Sequence, residues 1–234
     1  MKLYKILILV SFIIIIFGFF HVFYIENYEG FETKTLNFIH ITKNAGTTIE
    51  KIANKRGILW GAYNDEYCKN FGKLSKTKDP WHNYFPNLDK SIRSKYDWFL
   101  VVRNPYDRIL SEFKWYSNFK QYENNPFTIN TFNEFIQNKI KEANDTNTNI
   151  GKYGGHFSPQ YKYLTSEDKI HILKFENLKE EFNDLMKQYN INLKLDEKHN
   201  VSNHKFTIND FNESTKKLIQ EVYKKDFELF NYDI

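Results

Sequence analysis

LNFIHITKNAGTTIEKIANKRG, residues 36–57, decides the fold. Leu36 to Ile41 is a short apolar run that reads as a buried strand, and Thr47 to Arg56 reads as a helix that Gly57 closes at its C-terminus. Between them stands Thr42-Lys-Asn-Ala-Gly-Thr-Thr48. Gly46 permits a close backbone approach, and a helix start offers free N–H groups and a positive dipole end to an anion. Lys43 adds a full charge, Thr47 and Thr48 add hydroxyl donors, and the amides of Asn44 and Ala45 line the turn. This is the chemistry of a phosphate cradle, but its spacing is not the G-x-x-x-x-G-K-[ST] of nucleoside triphosphatases. An ordinary strand-to-helix turn with a solvated lysine would use the same residues, so the loop needs support from elsewhere in the chain.

The pattern repeats downstream. Trp98 to Val102 is a second buried strand, too apolar for a surface ribbon. Pro105 to about Phe119 follows as a helix, with Asn104 as its cap and proline at the first helical position. The stretch from Tyr122 to Tyr153 is polar and Asn-rich, with a helix expected around Thr131 to Glu142 and then a mobile loop. Lys169 to Lys174 is a third strand, a helix follows from Leu178 to Tyr189, and a last one runs from Glu213 to Leu229 with Leu218, Val222 and Leu229 on one face. Strands alternating with helices predict a single three-layer α/β domain over residues 36–234 with a mainly parallel central sheet. Hydrophobic residues make up 41% of the 234, enough for one well-packed core and too few residues for two large domains. Ligands of such sheets bind beyond the carboxyl ends of the strands.

The second informative motif lies at such an end. In Val101-Val-Arg-Asn-Pro-Tyr-Asp-Arg-Ile-Leu-Ser111, Arg103 leaves the strand and Ser111 sits two helical turns past Asn104, so both can face one anion. Guanidinium is the natural bidentate partner of a phosphate. Asp107 and Arg108 are expected to pair with neighbours on an amphipathic helix.

The chain begins with a different kind of segment. ILILVSFIIIIFGFFHVFYI, residues 6–25, carries no formal charge apart from a titratable His21. Twenty residues at about 1.5 Å each match a bilayer's hydrocarbon core of roughly 30 Å. Lys2 and Lys5 precede the run, and Glu26, Glu29 and Glu32 follow it, so residues 1–5 are expected to be cytoplasmic and the body to lie across the membrane. A cleaved signal peptide is the competing reading, but no small-x-small pattern closes the run. Residues 26–35 read as a short stem. Cys68 is the single cysteine, which excludes an intramolecular disulfide and any cysteine-based metal site. Three glycosylation sequons, at Asn144, Asn200 and Asn212, carry little weight in so Asn-rich a chain. The net charge of +4 is compatible with an anionic ligand and does not demand nucleic acid.

Together these motifs resemble the carbohydrate sulfotransferases, especially the Golgi-membrane type acting on glycosaminoglycans. FIHITKNAGTTI is similar to that family's 5′-phosphosulfate loop, often written with Lys-Thr-Ala-Gly-Thr-Ser, and VVRNPYDRILSEF to its 3′-phosphate segment. HFSPQYKYL, ILKFENL and VYKKDFELFNY follow in the family's order, so the resemblance spans residues 36 to 232. Asn44 departs from the usual threonine, and the lack of paired cysteines departs from many animal members.

The resemblance implies a donor, 3′-phosphoadenosine-5′-phosphosulfate, with Lys43, Asn44, Ala45, Gly46, Thr47 and Thr48 around its 5′ end and Arg103 and Ser111 at its 3′-phosphate. It also implies a glycan acceptor, no metal, and a single-pass type II protein of the Golgi membrane if the source is a eukaryote. Lys43 would neutralise charge on the leaving phosphate during in-line displacement at sulfur. His82 stands where related enzymes carry their catalytic histidine and is the expected base, with His156 of the HFSPQ segment as the alternative. His40 and His171 are expected to be structural, and His199 and His204 to be loop residues. The rival functions are a phosphate-loop kinase, which lacks its spacing and a clear Mg²⁺ carboxylate, and a non-catalytic glycan- or nucleotide-binding protein on the same fold.

Overall fold

Three parallel strands form the sheet, in the order β1 (Leu36–Ile39), β2 (Asp97–Val102), β3 (Ile170–Lys174). Leu36 pairs with Asp97 at the start of the first ladder, and Trp98 with Ile170 at the start of the second. The computed structural model describes residues 34–72, 80–118, 126–144, 155–195 and 205–234. The 6–25 apolar run, the 145–154 loop, His199 and His204 lie outside them. Among the described residues no helix is long and apolar enough to cross a membrane.

Alternate residues of β2 serve two cores, as a strand buried on both faces requires. Phe99 and Val101 pack with α1 (Gly46–Asn54) through Ile49 and Ala53, and with α6 (Leu178–Gln188) through Phe182 and Met186. Trp98, Leu100 and Val102 face the opposite way, onto Tyr84, Phe85, Leu88 and Tyr163. That second layer is carried by short turns, α2 (Asp65–Gly72) and α3 (Lys90–Arg93) rather than by long helices. β3 is an outer strand, and of its five residues only Leu173 is buried.

A third core joins α4 (Pro105–Tyr116) and α5 (Ile129–Asn144) to the C-terminal helices through Phe113, Phe132, Ile136, Phe211 and Ile219. The C-terminal segment is not the single helix expected over residues 213–229. It breaks at Tyr223 into α7 (Glu213–Val222) and α8 (Lys224–Phe230). Tyr223 is fully buried with its hydroxyl donating to the Phe157 carbonyl, and the break turns Asp226 inward. There Asp226 accepts from the amides of Gln160 and Tyr161. The buried face is therefore Thr215, Ile219, Tyr223, Phe227 and Phe230, while Leu229, expected on the apolar face, is 61% exposed. A buried carboxylate with two amide donors outweighs continuous helix geometry here.

Candidate active site

All three strands end at one cleft of about 550 Å³. β1 delivers His40 and the Thr42–Thr48 loop, β2 delivers Arg103, and β3 delivers Phe175. Such a volume suits a small-molecule site.

The loop holds two non-glycine residues in the left-handed region, Lys43 at φ 65° and Ala45 at φ 64°. Such backbone is uncommon and costs about 1–3 kcal/mol per residue. Alternation of this kind curls successive amides toward one point, the geometry of an anion nest. The start of α1 is also left without a side-chain cap or an acidic residue in its first turn. Elsewhere Asn104 caps α4, Asn212 caps α7, and α6 carries Glu180 and Glu181 in its first turn. An uncapped helix start inside a cleft is built for a mobile anion. Gly46 is required by close packing, since a Cβ there would lie 2.1 Å from the His40 ring.

Lys43, Ala45, Gly46, Thr47, Thr48, Arg103 and Ser111 all line this cleft, as do His82 and His156. The Asn44 side chain does not line it. Its amide nitrogen donates to the Val101 carbonyl and to Gln160 Oε1, both at 2.7 Å, which ties the loop down onto β2. Asn44, expected among the ligand-binding residues, therefore has its side chain committed below the loop and away from the cleft.

Gln160 is the hub of this underlayer. Its Oε1 also accepts from the Arg103 amide, its Nε2 donates to the Arg103 carbonyl, and its own amide is held by Asp226. Arg103 is thus fixed at both backbone groups, and its guanidinium stands 4.1 Å from the Phe175 ring centroid. Its Nε is buried without a partner among the described residues. Burial lowers the pKa values of Arg103 and Lys43, and the two cations also repel one another at Lys43. Desolvated cations facing one cleft call for an anion.

Arg108 pairs with its helix neighbour Glu112, and the pair is buried, with Arg108 1% exposed. Its guanidinium lies 3.6 Å from Glu112, donates to the Thr42 and Ser158 carbonyls, and donates to Thr42 Oγ1. It therefore stitches the phosphate loop to the HFSPQ segment. The Asp107 charge opposes the effect of burial at Arg103.

Three imidazoles, His40, His82 and His156, also line the cleft. His82 is edge-on to His40 at 4.4 Å between centroids and to His156 at 5.9 Å. His40 Nδ1 meets Glu50 at 2.8 Å, and His156 Nδ1 meets Glu112 at 2.6 Å. Both ring nitrogens of His82 are buried with no partner among the described residues. Burial first, then the neighbouring His40 and His156, push the His82 imidazole well below its ordinary 6.5. His171 lies away from the cleft and bonds Tyr189. Among the described residues no group of three or more His, Cys, Asp or Glu is placed to hold a metal ion.

Sequence reasoning missed Glu50, Glu112, Gln160 and Asp226. Arg108 and Glu112, four apart, carry the signature of an exposed helix pair. Trp115, stacked on His156 at 4.5 Å, reads in sequence as an ordinary helix aromatic.

No curated protein matches the chain. The family model described as "Sulfotransferase family" matches residues 31–233. A strand-end anion loop, two desolvated cations and a row of imidazoles in one cleft agree with that match: the chain belongs to the sulfotransferase family.

Proposed function

We propose that the chain moves a sulfuryl group from 3′-phosphoadenosine-5′-phosphosulfate to a hydroxyl of a carbohydrate acceptor. One observation carries this reading: the uncapped start of α1, Lys43, Arg103 and Ser111 converge on the cleft that also holds the imidazoles. The loop amides, Lys43, Thr47 and Thr48 would hold the 5′-phosphosulfate, and Arg103 with Ser111 the 3′-phosphate. The acceptor oxygen attacks sulfur in line, the bond from sulfur to the bridging phosphate oxygen breaks, and the 3′,5′-bisphosphate leaves with the electron pair. The acceptor's proton passes to a cleft imidazole. Lys43 neutralises charge that builds on the bridging oxygen, a role worth most in a desolvated site.

The kinase alternative lacks its loop spacing, and the binding-protein alternative gives no role to the imidazoles beside the anion loop. Residues 6–25, with Lys2 and Lys5 before them, support a type II anchor in the Golgi membrane of a eukaryotic source, with the body lumenal. Protection of the body from protease in sealed vesicles checks that topology.

The deciding experiment incubates the full-length chain in detergent with ³⁵S-labelled donor and unsulfated chondroitin, heparosan, galactosylceramide and a tyrosine peptide. Label on a glycan is the expected outcome. Label on the peptide alone would remove the carbohydrate reading, and binding of the bisphosphate without transfer to anything would make the chain a binding protein.

A further inference from the structure

We infer that the proton acceptor of this cleft is His156, oriented by Glu112, rather than His82. The inference rests on the transferase reading above. Glu112 is fully buried at the centre of α4, one residue past Ser111, and its two oxygens go opposite ways. Oε2 meets His156 Nδ1 at 2.6 Å, and Oε1 accepts from the Thr42 hydroxyl at 2.7 Å. An imidazole whose Nδ1 donates to a carboxylate presents Nε2 as its acceptor, and the carboxylate stabilises the imidazolium that forms. Among the described residues His156 Nε2 has no partner, and it is not one of the atoms sealed from solvent.

The ring is fixed from two further sides. Trp115 stacks on it almost parallel, at 6°, and Tyr116 meets it edge-on at 5.7 Å. The backbone around it is equally constrained. Phe157 is left-handed at φ 58°, and Gly155, at φ 83°, passes so close to His82 that a Cβ would lie 2.7 Å from the His82 carbonyl oxygen. A residue held this firmly is preorganised for one geometry.

The charge around it also suits the role. Burial alone would raise the Glu112 carboxyl, but His156, Arg108 and the Thr42 hydroxyl outweigh burial and hold it below the usual carboxylate range. Before the proton arrives, the Arg108 charge and the hydrogen bonds from His156 and Thr42 favour the Glu112 carboxylate, and the imidazolium that forms favours it further. The charged and titratable groups that face the pair include Arg108, Lys43 and His82, with the phenols of Tyr116, Tyr163 and Tyr223. Among the described residues His82 has no carboxylate partner, and taking a proton there would place an uncompensated charge between two other imidazoles. His40 has Glu50, but its ring lies directly beneath Gly46, on the donor side.

The step balances simply. The acceptor O–H proton moves to His156 Nε2 as the O–S bond forms and the bridging S–O bond breaks. Glu112 touches neither partner and acts as a positioning residue. Because Thr42 shares the carboxylate, it also links the base to the phosphate loop.

The test compares His156→Ala, His82→Ala and Glu112→Gln in the full-length chain, using labelled donor, the glycan that wild type sulfates, and the 3′,5′-bisphosphate as binding probe. His156→Ala should lose about 10²–10⁴-fold in turnover, bind the bisphosphate normally, and regain rate with added imidazole. Glu112→Gln should lower kcat while the donor KM and the bisphosphate affinity stay near wild type, the split expected of a residue that only positions the base. His82→Ala should lose far less turnover than His156→Ala and should not be rescued by added imidazole. Full turnover in His156→Ala, or loss in His82→Ala alone, would overturn the assignment. So would loss of bisphosphate binding in both His156→Ala and Glu112→Gln, which would make the pair structural. Absence of transfer by wild type despite bisphosphate binding would instead overturn the transferase reading itself.

Discussion

The two sides of the cleft are built on opposite plans. The donor side takes its groups from two short motifs, each a strand end running into a helix, and much of its chemistry is backbone, a left-handed loop and an uncapped helix start, to which two desolvated side-chain cations are added. The acceptor side takes single side chains from separate segments. Glu112 and His156 are 44 residues apart, and His82 comes from a turn on the far face of the sheet. Anion binding needs a field, which a peptide backbone supplies locally. Proton transfer needs an oriented ring with a charged partner, and no local stretch of chain supplies both. Arg108 spans the divide, bonded to Thr42 on one side and to Ser158 on the other.

Breaking that bridge should have the largest effect. Arg108→Ala leaves Glu112 without its cation in a fully buried position, and removal of one partner of such a pair costs about 3–5 kcal/mol. Thermal or urea denaturation should show a loss of that order. A loss below about 1 kcal/mol would mean that the two halves are held together elsewhere.

Lys43 tests the donor side alone. Lys43→Ala should lower turnover about 10²–10³-fold, equivalent to about 2.7–4 kcal/mol, with only a small change in bisphosphate affinity. Equal losses in turnover and affinity would show that Lys43 holds the ground state rather than the transition state.

Arg103 sharpens the comparison further. Arg103→Ala should weaken the 3′-phosphorylated nucleotide by about 1.5–3 kcal/mol more than adenosine 5′-phosphate, as a charge-assisted hydrogen bond would. Calorimetry with both ligands reads the difference. Equal weakening would assign Arg103 to the Gln160 underlayer instead.

The smallest effect belongs to His82 and appears with pH. Its folded pKa lies below 6.5, so the unfolded chain binds more protons than the folded one between the folded value and 6.5. Stability should therefore rise with pH through that window and fall on acidification, by at most about 1.4 kcal/mol per pH unit. His82→Asn should flatten that slope in melts taken across the window. An unchanged slope would show that other groups carry the acid sensitivity.

Arg108 and Asn44 show where reading the sequence stops. The pattern that places Arg108 on a helix cannot tell whether that face meets solvent or the loop beneath β1, because a pair four residues apart serves both. Asn44 looks like one more member of the cradle, and only the packing of β2 against Gln160 turns its side chain away. Tyr223 is a third case: the apolar spacing suits one long helix, and a distant carbonyl at Phe157 breaks it.

By itself the sequence determined the parallel α/β order and the placing of the 42–48 loop and the Arg103–Ser111 segment at strand ends, which rest on local periodicity and local backbone chemistry. Tertiary structure alone decided which imidazole gained a carboxylate, where Asn44, Arg108 and Asp226 point, and how the two halves of the cleft are joined. The physical reason is desolvation. A buried charge or amide must find its partner wherever the fold brings one within about 3 Å, and that distance bears no relation to separation along the chain.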